Sequence, residues 1–411
     1  MGSPVVSEET LRLKKMAILC CGVILYFFTN MSKVLVPGTI FNDLLRSGLD
    51  VKSISALGAV YMYAYAASQL LAGIFADRYG GVRILLIGGS MFTAGTIGFP
   101  FAGELWLMYL CRLLTGFGAG TVFLGVAKLL GDLFSARFAM AMGVILVLGY
   151  IGPTAGTMIV HLINAVGWQW AMAIPGMVAV AALMTILFFM RGTIKPVTGG
   201  QSFAPLLAVV KNIRVWLLWL TSSVVFGAYY ILLAQIGQKS MTDFCGISAE
   251  ASAACLMIMT IMVALNNMGV NGIVKLCRNR RKVVAAGGIC CTLAGGVTGW
   301  LAFSCHGGIA WVLTAFFFIA VPAGFFPLYS VIAKDMAPRE YMGLAVALIN
   351  FMAFVFIALF QNIAGRILQG FSAVNGVFPP EAYAGIFIFI ALAAVPAAAA
   401  SFFIPETGEK K

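Results

Sequence analysis

The sequence predicts an all-α integral membrane protein of twelve transmembrane helices, six on either side of a central loop, with N- and C-termini cytoplasmic. Three observations lead there. Of 411 residues, 62% are hydrophobic and 10% charged, with a mean hydropathy of +1.00; soluble domains hold roughly 45–50% apolar and about a quarter charged residues. Apolar runs of about 20 residues, enough to cross a bilayer, recur along the whole chain. Of the 26 Lys and Arg, 20 fall in alternate loops or at the two termini, the asymmetry that marks a cytoplasmic face. This composition excludes a cytosolic enzyme, a secreted module and a disordered protein.

The twelve runs lie near 16–37, 53–76, 82–102, 105–128, 138–160, 170–190, 214–236, 249–273, 283–303, 309–332, 341–363 and 384–404. The first follows Arg12, Lys14 and Lys15 as a signal peptide would, but it has no small-residue cleavage site and eleven spans follow, so it is read as a retained helix. Val6 stands where myristoylation needs Ser or Thr. Spans 2 and 3 are joined by a short loop holding Arg78 and Arg83. Lys128 and Arg137 flank the junction of spans 4 and 5, and Arg191 ends span 6. Span 7 begins at Arg214. Spans 8 and 9 are separated by Lys275, Arg278, Arg280, Arg281 and Lys282. Lys334 and Arg339 lie between spans 10 and 11, and Lys410 and Lys411 end the chain. All of these belong to one face, and an even helix count returns both termini to it.

The longest polar interruption, with Gly192, Pro196, Gly199, Gly200 and Pro205, divides the chain into 1–190, a central loop at 191–213, and 214–411. The net charge of +12 is therefore a topogenic signal facing anionic lipid, which leaves no nucleic-acid partner. Of nine cysteines, Cys20, Cys21, Cys111, Cys255, Cys290 and Cys291 fall inside spans as small apolar residues, and no spacing suggests a metal site or disulfide framework. Two histidines, no serine elbow and no phosphate-cradling glycine loop point away from an enzyme, and no cofactor is implied.

An internal echo links the halves. Gly73-Ile-Phe-Ala-Asp77-Arg78-Tyr-Gly80-Gly81-Val-Arg83 aligns without gaps to the stretch from Gly272 to Lys282, offset by 272 − 73 = 199 residues. Repeats of this kind mark carriers built from related bundles. The pattern Gly73-x-x-x-Asp77-Arg78-x-Gly80-Gly81-x-Arg83 resembles the signature loop of the major facilitator superfamily, and Arg112-x-x-x-Gly116-x-Gly118-x-Gly120 is similar to that family's second motif. Pro405-Glu406-Thr407 resembles the tail of its sugar porters. The first 80 residues look most like the organic-anion branches, the organophosphate:phosphate antiporters and anion:cation symporters. Tyr26, Pro37, Asn42-Asp43-Leu44 and Gln69-x-x-x-Gly73 carry that likeness. One departure is that Thr29 stands where those branches usually have arginine, with Lys33 one turn further on the same face.

The resemblance implies the major facilitator fold: two six-helix bundles around a central cavity, alternating between inward-open and outward-open states. It implies a gating role for Gly73, Asp77, Arg78, Gly80 and Arg83, with Asp77 holding the inner side closed. Candidate substrate-binding residues are Arg112 in span 4; Tyr26, Asn30 and Lys33, spaced i, i+4, i+7 on span 1; and Tyr61 and Tyr65 on span 2. Tyr229 and Tyr230 in span 7 join them, as do Phe325 and Tyr329 in span 10 beside Pro322 and Pro327, which are expected to break that helix. For each aromatic the alternative is plain bundle packing.

No Asp or Glu falls within the interior of any span, whereas Arg112 and Lys33 do. Proton-coupled and cation-carrying membrane proteins usually hold an embedded carboxylate. The expectation is a secondary transporter of a small organic anion (carboxylate, phosphate ester or sulfonate). Its partners would be that substrate, a coupling ion such as a proton or sodium, and the lipid bilayer; it would work as a monomer in a bacterial inner or plasma membrane. The alternatives are a carrier of a neutral sugar or nucleoside and a non-transporting receptor on the same scaffold.

Overall fold

The computed structural model describes residues 8–134, 138–190, 212–337, 342–374 and 376–408. Among its helices, the side chains of 8, 72–78, 138–140, 143, 146, 150 and 342–344 lie outside the described set. Eleven helical stretches among the described residues are long and apolar enough to cross a membrane. The run expected at 138–160 is the 21-residue helix Phe138–Met158. The chain is thus a multi-pass membrane protein, and residues such as Leu265, Met268 and Phe188, more than 60% exposed on their helices, suit an exterior solvated by lipid tails.

In chain order the helices are α1 (Glu8–Val34), α2 (Phe41–Arg46), α3 (Val51–Tyr79), α4 (Gly81–Gly98), α5 (Leu105–Leu133), α6 (Phe138–Met158), α7 (Val160–Val166) and α8 (Trp168–Phe189). After the central loop come α9 (Ile213–Ile231), α10 (Gly237–Cys245), α11 (Ala249–Leu276), α12 (Arg281–Ser304), α13 (Ile309–Ala323), α14 (Phe326–Met336), α15 (Met342–Gln369) and α16 (Pro380–Ser401). Two π turns complete them: Leu35–Thr39 continues α1, and Leu232–Ile236 joins α9 to α10.

The chain forms two compact units. One gathers Met1–Lys33 with Val60–Gln201; the other gathers Val34–Ala59 with Ser202–Lys411. The expected boundary loop falls at 191–213, of which 191–211 lie outside the described residues.

In the first unit, α4 and α5 pack closely because glycines face backbone. A Cβ on Gly125 would come within 2.9 Å of the Leu85 nitrogen, and one on Gly118 would strike the Phe92 nitrogen. Small residues at such seams let membrane helices approach, where lipid offers no hydrophobic drive. Gly116 meets the Tyr61 carbonyl in the same way, so the glycines after Arg112 serve to seat α5 on α3 and α4. Gly80, at φ +80°, makes the left-handed turn that separates α3 from α4, which a side chain would strain.

In the second unit, the segment Val34–Ala59 comes from the first half of the sequence yet packs with the second. Its π turn lies against the π turn after α9, with the Gly38 Cβ position 2.5 Å from the Ala234 carbonyl oxygen. Span 10 breaks, as its two prolines predict, into α13 and α14 around Gly324 and Phe325. Asn266 Nδ2 donates to the Val321 carbonyl at 3.4 Å, occupying a backbone acceptor at that break. At the cytoplasmic end expected for this half, Glu406 Oε1 accepts from the Arg281 and Gly408 amides at 2.9 and 3.0 Å, which caps α12 with the C-terminal tail. The Arg281 guanidinium pairs with Asp335 and also donates to the Thr407 carbonyl at 3.1 Å. The basic echo loop is therefore knitted into its unit.

Candidate functional site: a cationic aromatic cluster

The one-turn spacing along α1 puts Tyr26, Asn30 and Lys33 on a single face. Lys33 Nζ donates to Asn30 Oδ1 at 2.8 Å and sits 4.4 Å from the Tyr65 ring centre. Asn30 Nδ2 in turn donates to the Tyr26 carbonyl at 2.8 Å, which fixes its oxygen toward the lysine. Thr29, the residue in place of the expected arginine, spends its hydroxyl on the same carbonyl at 2.7 Å.

Arg112 lies beside this face. Its guanidinium carbon is 4.5 Å from the Tyr61 ring centre and 5.9 Å from that of Phe99, and both terminal nitrogens reach the Ser32 carbonyl at 3.5 Å. Tyr61 donates its hydroxyl to the Thr29 carbonyl at 2.6 Å and stacks on Tyr65, centres 6.4 Å apart. The ring edge-to-face charge distribution favours a cation over the face, by about 0.5–2 kcal/mol as the site dries. Arg112 is 1% and Lys33 3% exposed. Two cations, three tyrosines and an asparagine from α1, α3 and α5 thus converge in the first unit. The sequence of those helices holds no acid between Glu9 and Asp43, Asp50 and Asp77, or Glu104 and Asp132.

The remaining candidates lie in the second unit. Tyr229 and Tyr230, ring centres 5.4 Å apart, join Phe226, Phe326 and Phe354 in one aromatic cluster. Phe326, which the sequence offers beside Phe325 and Tyr329 in span 10, is the member of that set in this cluster. Phe325 and Tyr329 turn instead toward Gly288 on α12, and the Tyr329 hydroxyl reaches the Ala285 carbonyl at 3.5 Å. Of the expected gating motif, the side chains of Gly73, Asp77 and Arg78 lie outside the described residues, Gly80 makes the interhelical turn, and Arg83 is exposed.

Two buried polar groupings escaped the sequence reading. Lys239 and Asp243 form an ion pair on α10, although their i, i+4 spacing was legible. Gln235, Gln361 and Ser55 meet at the second π turn. Among the described residues no group of His, Cys, Asp and Glu is placed to hold a metal ion.

Comparison with known proteins gives the family. The model of the Major Facilitator Superfamily matches residues 18–361. A probable sulfoacetate transporter, SauU, of Cupriavidus necator is 23% identical over 172 residues, 41% of this chain and 40% of that protein. The multidrug resistance protein MdtL of Shigella flexneri is 30% identical over 156 residues, 36% of this chain and 38% of that one. Other curated relatives are matched over as little as 20% of their length. Among solved structures, a D323A mutant of the nucleoside transporter NupG superposes with a TM-score of 0.72 at 18% identity, covering 96% of this chain and 99% of its own. The cargoes named differ, while the fold is shared along nearly the whole chain. With the helical architecture above, the family match establishes that this chain belongs to the Major Facilitator Superfamily.

Proposed function

We propose that this protein is a secondary transporter that moves a small organic anion, a carboxylate, phosphate ester or sulfonate, across the membrane by alternating access between two six-helix halves. The observation that carries this reading is the pairing of Lys33 and Arg112 over Tyr65 and Tyr61 on helices without an acidic residue in their interiors. Such a site has positive potential and attracts anions. The bonds from Arg112 to the Ser32 carbonyl, at 3.5 Å, are at the limit of hydrogen bonding. A charge-assisted bond from the guanidinium to a carboxylate or sulfonate is about twice as strong as a neutral one and would displace them. The sulfoacetate cargo named for SauU is of this chemistry. A cationic drug, by contrast, would be repelled.

The test is uptake into proteoliposomes from a panel that includes sulfoacetate, glycerol phosphate and neutral sugars and nucleosides. Arg112→Gln and Lys33→Gln should each weaken the apparent affinity for the anion at least about tenfold. Unchanged affinity in both variants removes the anion reading. Saturable flux of a sugar or nucleoside without anion competition would favour a neutral carrier, the reading that the Pro405-Glu406-Thr407 tail supports.

A further inference from the structure

Gln361 is 0% and Gln235 3% exposed. Gln235 Nε2 donates to Ser55 Oγ at 2.8 Å and to the Gln361 main-chain carbonyl at 3.3 Å. Among the described residues, Gln235 Oε1 and both polar atoms of the Gln361 amide have no hydrogen-bond partner. An amide without a partner in an apolar surround is expensive, and native proteins rarely keep one without a reason.

The packing around these amides is tight. Ser55 lies against Gly365 on α15, and Gly58 faces Pro37, with the Gln361 Oε1 atom 3.3 Å from its Cβ position. Gly38 meets the Ala234 carbonyl beside them. The charge pattern assigns this end of the helices to the outside, and the segment Val34–Ala59 is held by the second unit there. This packing joins close steric fit to poor polar satisfaction. Were Val34–Ala59 to part from the rest of its unit, water would reach the amides and supply the missing bonds.

We propose that Gln235 and Gln361 set the open–shut balance of the outer end, their unpaired amides penalising the shut state so that it opens readily. This rests on the transporter reading above only in requiring that the outer end opens. In a background with the nine native cysteines replaced, Ala59→Cys places a reporter in the buried seal and Ser47→Cys an exposed reference. Both are labelled from outside with a membrane-impermeant maleimide. Gln361→Met keeps the side-chain shape and removes two orphaned atoms without breaking a bond. It should slow labelling at position 59, relative to position 47, by about tenfold, with monodisperse protein of equal or higher thermal midpoint. Gln361→Glu, which adds a charge where an amide is already unpaired, should speed it. A Gln361→Met variant that labels at a rate within about twofold of the parent, or faster, overturns the proposal, as does a glutamate variant without effect. So does a position 47 that resists the reagent from outside. No substrate is needed, so failure here leaves the uptake tests standing.

Discussion

Lys239 Nζ lies 2.7 Å from Asp243 Oδ1, one turn further along α10, with the two side chains 7% and 4% exposed. The other carboxylate oxygen accepts from the Tyr383 hydroxyl at 2.6 Å and the Phe378 amide at 2.9 Å, and Lys239 also donates to the Gly376 carbonyl. The pair therefore ties the end of span 7 to the loop ahead of α16. Removing one partner strands a buried charge. Asp243→Asn or Lys239→Met should each cost about 3 kcal/mol, while the double replacement Lys239→Met/Asp243→Asn should cost less than their sum. Thermal unfolding of purified protein measures the cycle; additive losses would show that the two charges act independently.

Tyr61 serves Arg112 with its ring and Thr29 with its hydroxyl, and two variants separate these. Tyr61→Phe keeps the ring under the guanidinium and loses one hydrogen bond, for about 1 kcal/mol of stability with little effect on ligand affinity. Tyr61→Leu also removes the cation–π contact and should weaken anion binding several-fold more than Tyr61→Phe. Equal affinity in the two variants would take the ring out of the site.

Gly116→Ala drives a methyl into the Tyr61 carbonyl, and Gly118→Ala drives one into the Phe92 backbone. Neither obstacle is a flexible side-chain tip. Each variant should lose about 1–3 kcal/mol. Gly287→Ala, with nothing within 4 Å of its Cβ position, should be neutral or slightly stabilising. Melting curves of the three check the ranking.

Glu406→Ala removes the acceptor for the first amides of α12 and should cost about 1 kcal/mol, with Glu406→Gln retaining most of it. Proteolysis of the C-terminal tail offers a second readout, faster in the alanine variant.

Asp43, on the short α2 outside the spans, is pushed above the ordinary carboxylate range by partial burial, partly offset by Arg46 at 3.8 Å. A native pKa raised above the unfolded one makes the ionised fold the costlier state. This group's penalty is therefore full at neutral pH and is lifted as pH falls through the raised value. Asp43→Asn should raise the thermal midpoint at pH 7 and narrow the difference between pH 7 and pH 4.5; a lowered midpoint would refute this.

The sequence alone located the spans closely, because hydropathy over about 20 residues measures the bilayer itself. Runs read at 249–273 and 283–303 are helices Ala249–Leu276 and Arg281–Ser304. Pro322 and Pro327 foretold the break in span 10, since proline removes a backbone donor. Span 7 was read to end at 236 but continues to Cys245. Lys239 and Asp243 lower the hydropathy there, and their i, i+4 spacing is the one local sign that they neutralise each other. That Tyr26, Asn30 and Lys33 share one face, and Tyr61 and Tyr65 another, was legible because helical spacing assigns faces. Which of Phe325 and Phe326 lies with Tyr229 and Tyr230 was not, because a broken helix erases the angular register on which such assignments depend. The unpaired amides of Gln235 and Gln361 were invisible in principle, for want is a property of neighbours.

The π turns at Leu35–Thr39 and Leu232–Ile236 carry a further consequence. Each holds one surplus residue relative to an α-helix, so the chain beyond it is rotated by about 100° from the phase that an unbroken helix would have. Deleting a single residue within 232–236 would restore an ordinary ladder and swing Lys239 and Asp243 off the loop that grips them, although no contacting atom had been altered. The outer tip of span 7 is thus specified by counting as much as by chemistry, and its tolerance to insertions and deletions should be the narrowest in the chain.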